Sequence, residues 1–183
     1  VTPIIRFLAY PPPEPPPPNI AAIEPDVIIN AAAYTAVDMA ESEPEEAEAA
    51  NANGPRYLAE AARHLSTCRL LHISSDYVFD GCSTRPYRVH DKTSPINVYG
   101  RTKLAGEQAV LEILADRAIV LRTSWIYGPS GRNFLLTMLN KMKEQDFVRV
   151  VADQRGTPTA AASIAAALWR LVELPRVQGI LHW

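Results

Sequence analysis

Apolar residues fall in two periods along the chain. Asp26-Val27-Ile28-Ile29-Asn30, Arg69-Leu70-Leu71-His72-Ile73-Ser74-Ser75 and Ala118-Ile119-Val120-Leu121-Arg122 are short, nearly continuous apolar runs that close on a polar residue. Strands buried on both faces of a parallel sheet read this way. Phe147 to Val151 and Gly179 to Trp183 predict two further strands. Between them the spacing becomes helical. Tyr57, Leu58, Ala61, Ala62 and Leu65 form one face, Tyr99 to Ile113 is a second helix, and Asn133 to Lys143 is a third, with Phe134, Leu135, Met138 and Leu139 apolar. Alanine-rich Thr159 to Glu173 is a fourth. Ser42-Glu43-Pro44-Glu45 fits a capping box, so the acidic run Glu41 to Glu48 reads as a solvated helix start. Strand alternating with helix predicts an α/β, Rossmann-like parallel sheet with helices on both faces. Ligands of such sheets bind outside the carboxyl ends of the strands, where Asn30 and Ser74-Ser75 fall.

Composition narrows the function classes. The chain has 183 residues, 48% hydrophobic and 21% charged, with a net charge of −2. That suits one soluble domain and supplies no basic excess for nucleic acid. No apolar run approaches the roughly 20 residues of a membrane span, and no signal peptide is legible, so a cytoplasmic location is expected. Cys68 and Cys82 form no disulfide framework, and His64, His72, His90 and His182 have no metal-ligand spacing. Residues 1–25 stand apart, because seven prolines crowd Pro11 to Pro18. Proline lacks a backbone donor, which suits a linker or an SH3-type ligand and excludes a central strand. Residues 26–183 then form the folded domain.

Tyr99-Gly100-Arg101-Thr102-Lys103 carries the most chemistry. Residues four apart share a helix face, which puts a phenol beside an ammonium. Tyrosine titrates near about 10, and an adjacent positive charge lowers that value toward a general acid working near neutrality. Ser75, at the end of the preceding strand, can hold a carbonyl oxygen while Tyr99 protonates it. Hydride must come from a cofactor. Trp125, after a strand, offers a flat apolar wall for a sugar or base, or else packs in the core.

Four stretches extend this pattern: Asn30 to Asp38, Ser74 to Gly81, Asn97 to Glu107 and Arg122 to Gly128. Together with Asp153-Gln154-Arg155-Gly156-Thr157-Pro158-Thr159 they resemble the extended short-chain dehydrogenase/reductases, and within them the dTDP-4-dehydrorhamnose reductase family. The resemblance runs from about Pro25 to Trp183. It implies NADPH- or NADH-dependent reduction of the C4 keto group of a dTDP-linked keto sugar. It implies catalytic Tyr99, Lys103 and Ser75; cofactor contacts at Ala33, Tyr34, Thr35, Asn51, Ile73, Tyr99 and Lys103; and substrate contacts at Ser75, Asp76 and Trp125. A homodimer and Mg²⁺ are also implied, the metal without locatable ligands. Two alternatives remain: a reductase of another nucleotide-linked keto sugar, and a non-catalytic regulatory protein resembling the methionine adenosyltransferase beta subunit. Against the family pattern, no glycine precedes Gly54. The glycine-rich turn that holds a cofactor pyrophosphate is therefore absent, and the far end is shorter than the family's, as in a truncated reductase. Losing two or three of the turn's hydrogen bonds costs about 3–9 kcal/mol of cofactor binding.

Overall fold

The structure, a computed structural model, describes residues 20–131 and 133–183. The proline tract lies outside them. Among the described residues, six strands and six α-helices follow in the order α1 (Ile20–Ile23), β1 (Val27–Asn30), α2 (Pro44–Glu48), α3 (Gly54–Arg63), β2 (Arg69–Ser75), α4 (Val98–Leu114), β3 (Ala118–Thr123), β4 (Ile126–Tyr127), α5 (Phe134–Glu144), β5 (Thr159–Ala160), α6 (Ala161–Val172) and β6 (Gly179–His182). Four strands form one sheet in the order β1-β2-β3-β6, and every pairing is parallel. β4 and β5 form a separate two-stranded parallel pair.

The two-residue period of the strands sorts side chains between two cores. Leu70, Ala118 and Val120 join Leu58, Ala59 and Ala62 of α3 and Val110 and Leu114 of α4 on one face. Leu71, Ile119 and Leu121 join Ile164, Leu168 and Leu171 of α6 on the other. All six residues of β3 are buried, which is why that run is continuously apolar up to Arg122. Two arginines close helix ends. Arg117 donates to the carbonyls of Ala62, Leu65 and Cys68 at and beyond the end of α3, and Arg69 to those of Leu171, Val172, Leu174 and Val177 at and beyond the end of α6. Each supplies donors to carbonyls that a helix terminus leaves unpaired.

Several local expectations fail. Phe147 to Val151 forms no strand. Its β-branched residues favour extended chain, but a strand needs a neighbouring edge, and the short partner of β4 is Thr159–Ala160 instead. The capping box does not form: Ser42 Oγ donates to the Met39 carbonyl at 2.9 Å, and α2 starts from Glu43 without a side-chain cap. Tyr57 points outward, 64% exposed, because the buried stripe of α3 is Leu58, Ala59 and Ala62. On α5, Phe134, Leu135 and Leu139 are exposed rather than packed. The fourth helix starts two residues late, at Ala161.

One irregularity bears on the site. Between α2 and α3 the chain widens into a π-helical turn, Ala49–Asn53. That turn carries Asn51 inward to full burial. α4 crosses it closely, since a Cβ on Gly106 would sit 2.1 Å from the Asn51 carbonyl oxygen. Only glycine permits that approach.

Candidate active site

The site forms at the carboxyl end of the sheet, where register sets Asn30 beside His72 and Ser75 beside Thr123. β2 ends in Ser75. Its hydroxyl donates to Asp76 Oδ1 and accepts from the Tyr77 amide, both at 3.2 Å. α4 delivers the phenol and the ammonium. Its start is fixed twice: Asn97 Oδ1 accepts from the Gly100 amide and Glu41 Oε1 from the Val98 amide, each at 2.7 Å. A carboxylate at a helix N-terminus is favoured electrostatically. Glu41 thus braces the start of α4, a use for the acidic run that its composition did not suggest.

Tyr99 lies in the first turn of α4. Its ring meets Tyr77 edge-to-face at 5.4 Å, and Ser75 lies near enough to its hydroxyl to favour the charged form. Burial pushes the phenol up to about 12, against a smaller lowering by Ser75. This corrects the expected direction. The neighbouring ammonium does not lower Tyr99, because Lys103 Nζ turns to the sheet and donates to the Ile73 carbonyl at 2.7 Å. Lys103 is 2% exposed. Burial brings it down to about 8, and the charge of Glu107 acts in the opposite direction. Asp76 is raised, chiefly by burial.

A second cluster lies beneath. Asn51 accepts from the Tyr34 amide at 2.9 Å, donates to the Tyr34 carbonyl at 3.1 Å and to Thr102 Oγ1 at 3.2 Å. It ties the loop after β1 to α4. The fully buried side chain is committed to these groups and braces the loop. The Tyr34 hydroxyl donates to Glu43. Ala33 and Thr35 flank Tyr34, and Thr35 is exposed. Trp125 stands apart on the loop after β3, 42% exposed and therefore not a core residue. Ser75, Asp76, Tyr77 and Tyr99 are brought together, Lys103 joins through Ile73, and Trp125 shares only the same edge of the sheet.

Reading the residues alone missed the pair that underlies Lys103. Glu107 lies one helical turn beyond it, and Arg122 donates to both Glu107 oxygens, from Nε at 2.9 Å and from Nη2 at 2.7 Å. Both are nearly fully buried. One signal was available: Arg122 is the lone charge in an otherwise apolar strand, and such a charge requires a partner.

With this geometry in place, the likeness to known proteins is informative. A dTDP-4-dehydrorhamnose reductase of Streptomyces griseus is 50% identical over 149 residues, 81% of this chain and 49% of its own length. The enzyme of that name from Escherichia coli is 44% identical over 168 residues, 90% of this chain and 56% of its own. Among solved structures, dTDP-4-dehydrorhamnose reductase from Bacillus anthracis in complex with NADP superposes with a TM-score of 0.85 at 40% identity, covering 90% of this chain and 57% of that one. The chain spans about half the length of the curated relatives it matches. The RmlD substrate binding domain family matches residues 18–183, nearly the whole chain, and this protein belongs to that family.

Proposed function

We propose that this chain serves NADPH-dependent reduction of the C4 keto group of dTDP-4-dehydro-L-rhamnose to dTDP-L-rhamnose, with residues 26–183 acting as the cofactor-binding domain and part of the substrate-binding region. The observation that supports it most is the junction of Ser75, Tyr99 and Lys103 at the carboxyl edge of β2. The relatives' names supply the substrate class.

The residues present suit the nicotinamide-ribose end of a dinucleotide. Ala31 to Ala33 put nothing larger than a methyl group at the end of β1. The Lys103 ammonium has three donors and uses one, on Ile73. The remaining two suit ribose hydroxyls. Bound there, the dihydronicotinamide supplies the hydride for C4. Tyr34 with its neighbours Ala33 and Thr35, and Ile73, would line that end, with Asn51 bracing the loop. Ser75 would hold the substrate carbonyl, with Asp76 and Trp125 along the sugar nucleotide. Tyr99 keeps its proton throughout the neutral range, as an acid must, and releases it to the C4 oxygen only when negative charge develops there.

Tyr99→Phe tests the assignment. NADPH oxidation followed at 340 nm with the keto sugar should fall by about 10²–10⁴-fold. Binding of dTDP-L-rhamnose should change little. Undiminished turnover would refute Tyr99 as the acid.

A further inference from the structure

Asp153 to Thr159 has no role in the chemistry above, yet it is the segment that holds Trp125. The Trp125 backbone sits at a φ of 45°. A bulky L-residue adopts that left-handed conformation only where its surroundings over-determine it, which is common at ligand sites. Here the surroundings are explicit. Ser124 Oγ donates to the Thr157 carbonyl at 2.7 Å and accepts from the Thr157 amide at 3.1 Å. The Thr159 amide donates to the Trp125 carbonyl at 3.2 Å, and Ile126 pairs with Thr159 in the small sheet. Gly156 lies directly against the indole: a Cβ there would stand 2.4 Å from both Cε2 and Nε1. With so much holding one side, the ring is still 42% exposed. It follows Thr123, the register partner of Ser75, by two residues.

We propose that Gly156 is a positioning residue, the seat that holds the Trp125 indole as a flat open wall for the sugar nucleotide, with the Ser124–Thr157 bonds locking the seat in place. The inference rests on the dTDP-sugar reading given above. A methyl group at position 156 pushes the ring off its seat, whereas the buried cores lie elsewhere and are not disturbed. If the contact only glued two loops together, moving the ring would leave ligand affinity unchanged.

The test uses the full chain with Trp169→Phe and Trp183→Phe, which leaves Trp125 as the sole tryptophan. Acrylamide quenching of its emission reports the seat without any ligand, and titration with dTDP-L-rhamnose reports the wall. Gly156→Ala should raise the quenching constant about twofold and weaken the ligand about tenfold. Ser124→Ala, which removes the locking bonds and adds no atoms, should move both readings the same way, and it decides the matter if Gly156→Ala loses its far-UV circular dichroism. Unchanged quenching in the variants overturns the seat. Altered quenching with unchanged affinity overturns the positioning role. If the parent protein fails to bind dTDP-L-rhamnose while quenching still responds, the dTDP-sugar reading has failed, and the positioning role with it, but the seat stands.

Discussion

Lys103 is a charge held in the interior at a cost to stability, and that cost can be read directly. Its ammonium falls from the ordinary 10.5 to about 8 on folding, chiefly through burial. The interval, at about 1.4 kcal/mol per pH unit, amounts to roughly 3 kcal/mol. The sign follows from proton counting. Between about pH 8 and 10.5 the unfolded chain binds the proton and the folded one does not, so stability rises with pH across that window. Below about pH 8 both states are charged and the full penalty applies; above 10.5 it is gone. Lys103→Met lacks the term. It loses the bond to the Ile73 carbonyl at every pH, which adds a constant offset but no slope. The stability of the methionine variant relative to wild type should therefore climb by about 3 kcal/mol as pH falls from 10.5 to 8. Roughly three-quarters of that falls between pH 10 and pH 7, where urea titrations are practicable. The assay is urea unfolding followed by circular dichroism on both proteins, in reductant, at pH 7, 8, 9 and 10. Other groups that titrate in this range cancel in the difference. A difference that stays constant within about 0.5 kcal/mol would refute the buried-ammonium account.

Two further outcomes follow from buried groups. Glu107→Gln leaves the Arg122 guanidinium buried without its counter-charge and should cost about 3–5 kcal/mol, a fall of roughly 10 °C in Tm, whereas Met at both positions should recover most of it. A thermal melt unchanged by the single variant would contradict this. Burial raises the Cys68 thiol to about 11, whereas Cys82 is exposed. A thiol-reactive disulfide reagent at pH 8 should therefore label one cysteine per native chain and both in urea; rapid labelling of both in the native protein would show that β2 is not closed as described.

The central strands were legible because a parallel strand covered on both faces must be apolar at nearly every position, and Ala118 to Leu121 is. Phe147 to Val151 has the same local chemistry and was misread, because nothing within five residues reports whether a partner edge is available. The Tyr99–Lys103 spacing was legible as a shared helix face. The direction of the Tyr99 shift was not, since it depends on how deeply the phenol sits and on Nζ turning to a strand carbonyl 30 residues away in sequence. Asn51 was placed near the cofactor by resemblance; its work as a brace became visible only with the π-helical turn that buries it.

Residue order alone indicated the alternation of central strands with helices, the interior runs at β1, β2 and β3, and which side chains have the chemistry to orient and protonate a carbonyl. These are short-range matters of periodicity and side-chain chemistry. Folding decided the electrostatic state of the phenol and ammonium, the pairing of Glu107 with Arg122 and the seating of Trp125 on Gly156. Each of those depends on desolvation or on contact between groups distant along the chain, and such energies exist only once the chain has brought the partners together and excluded water.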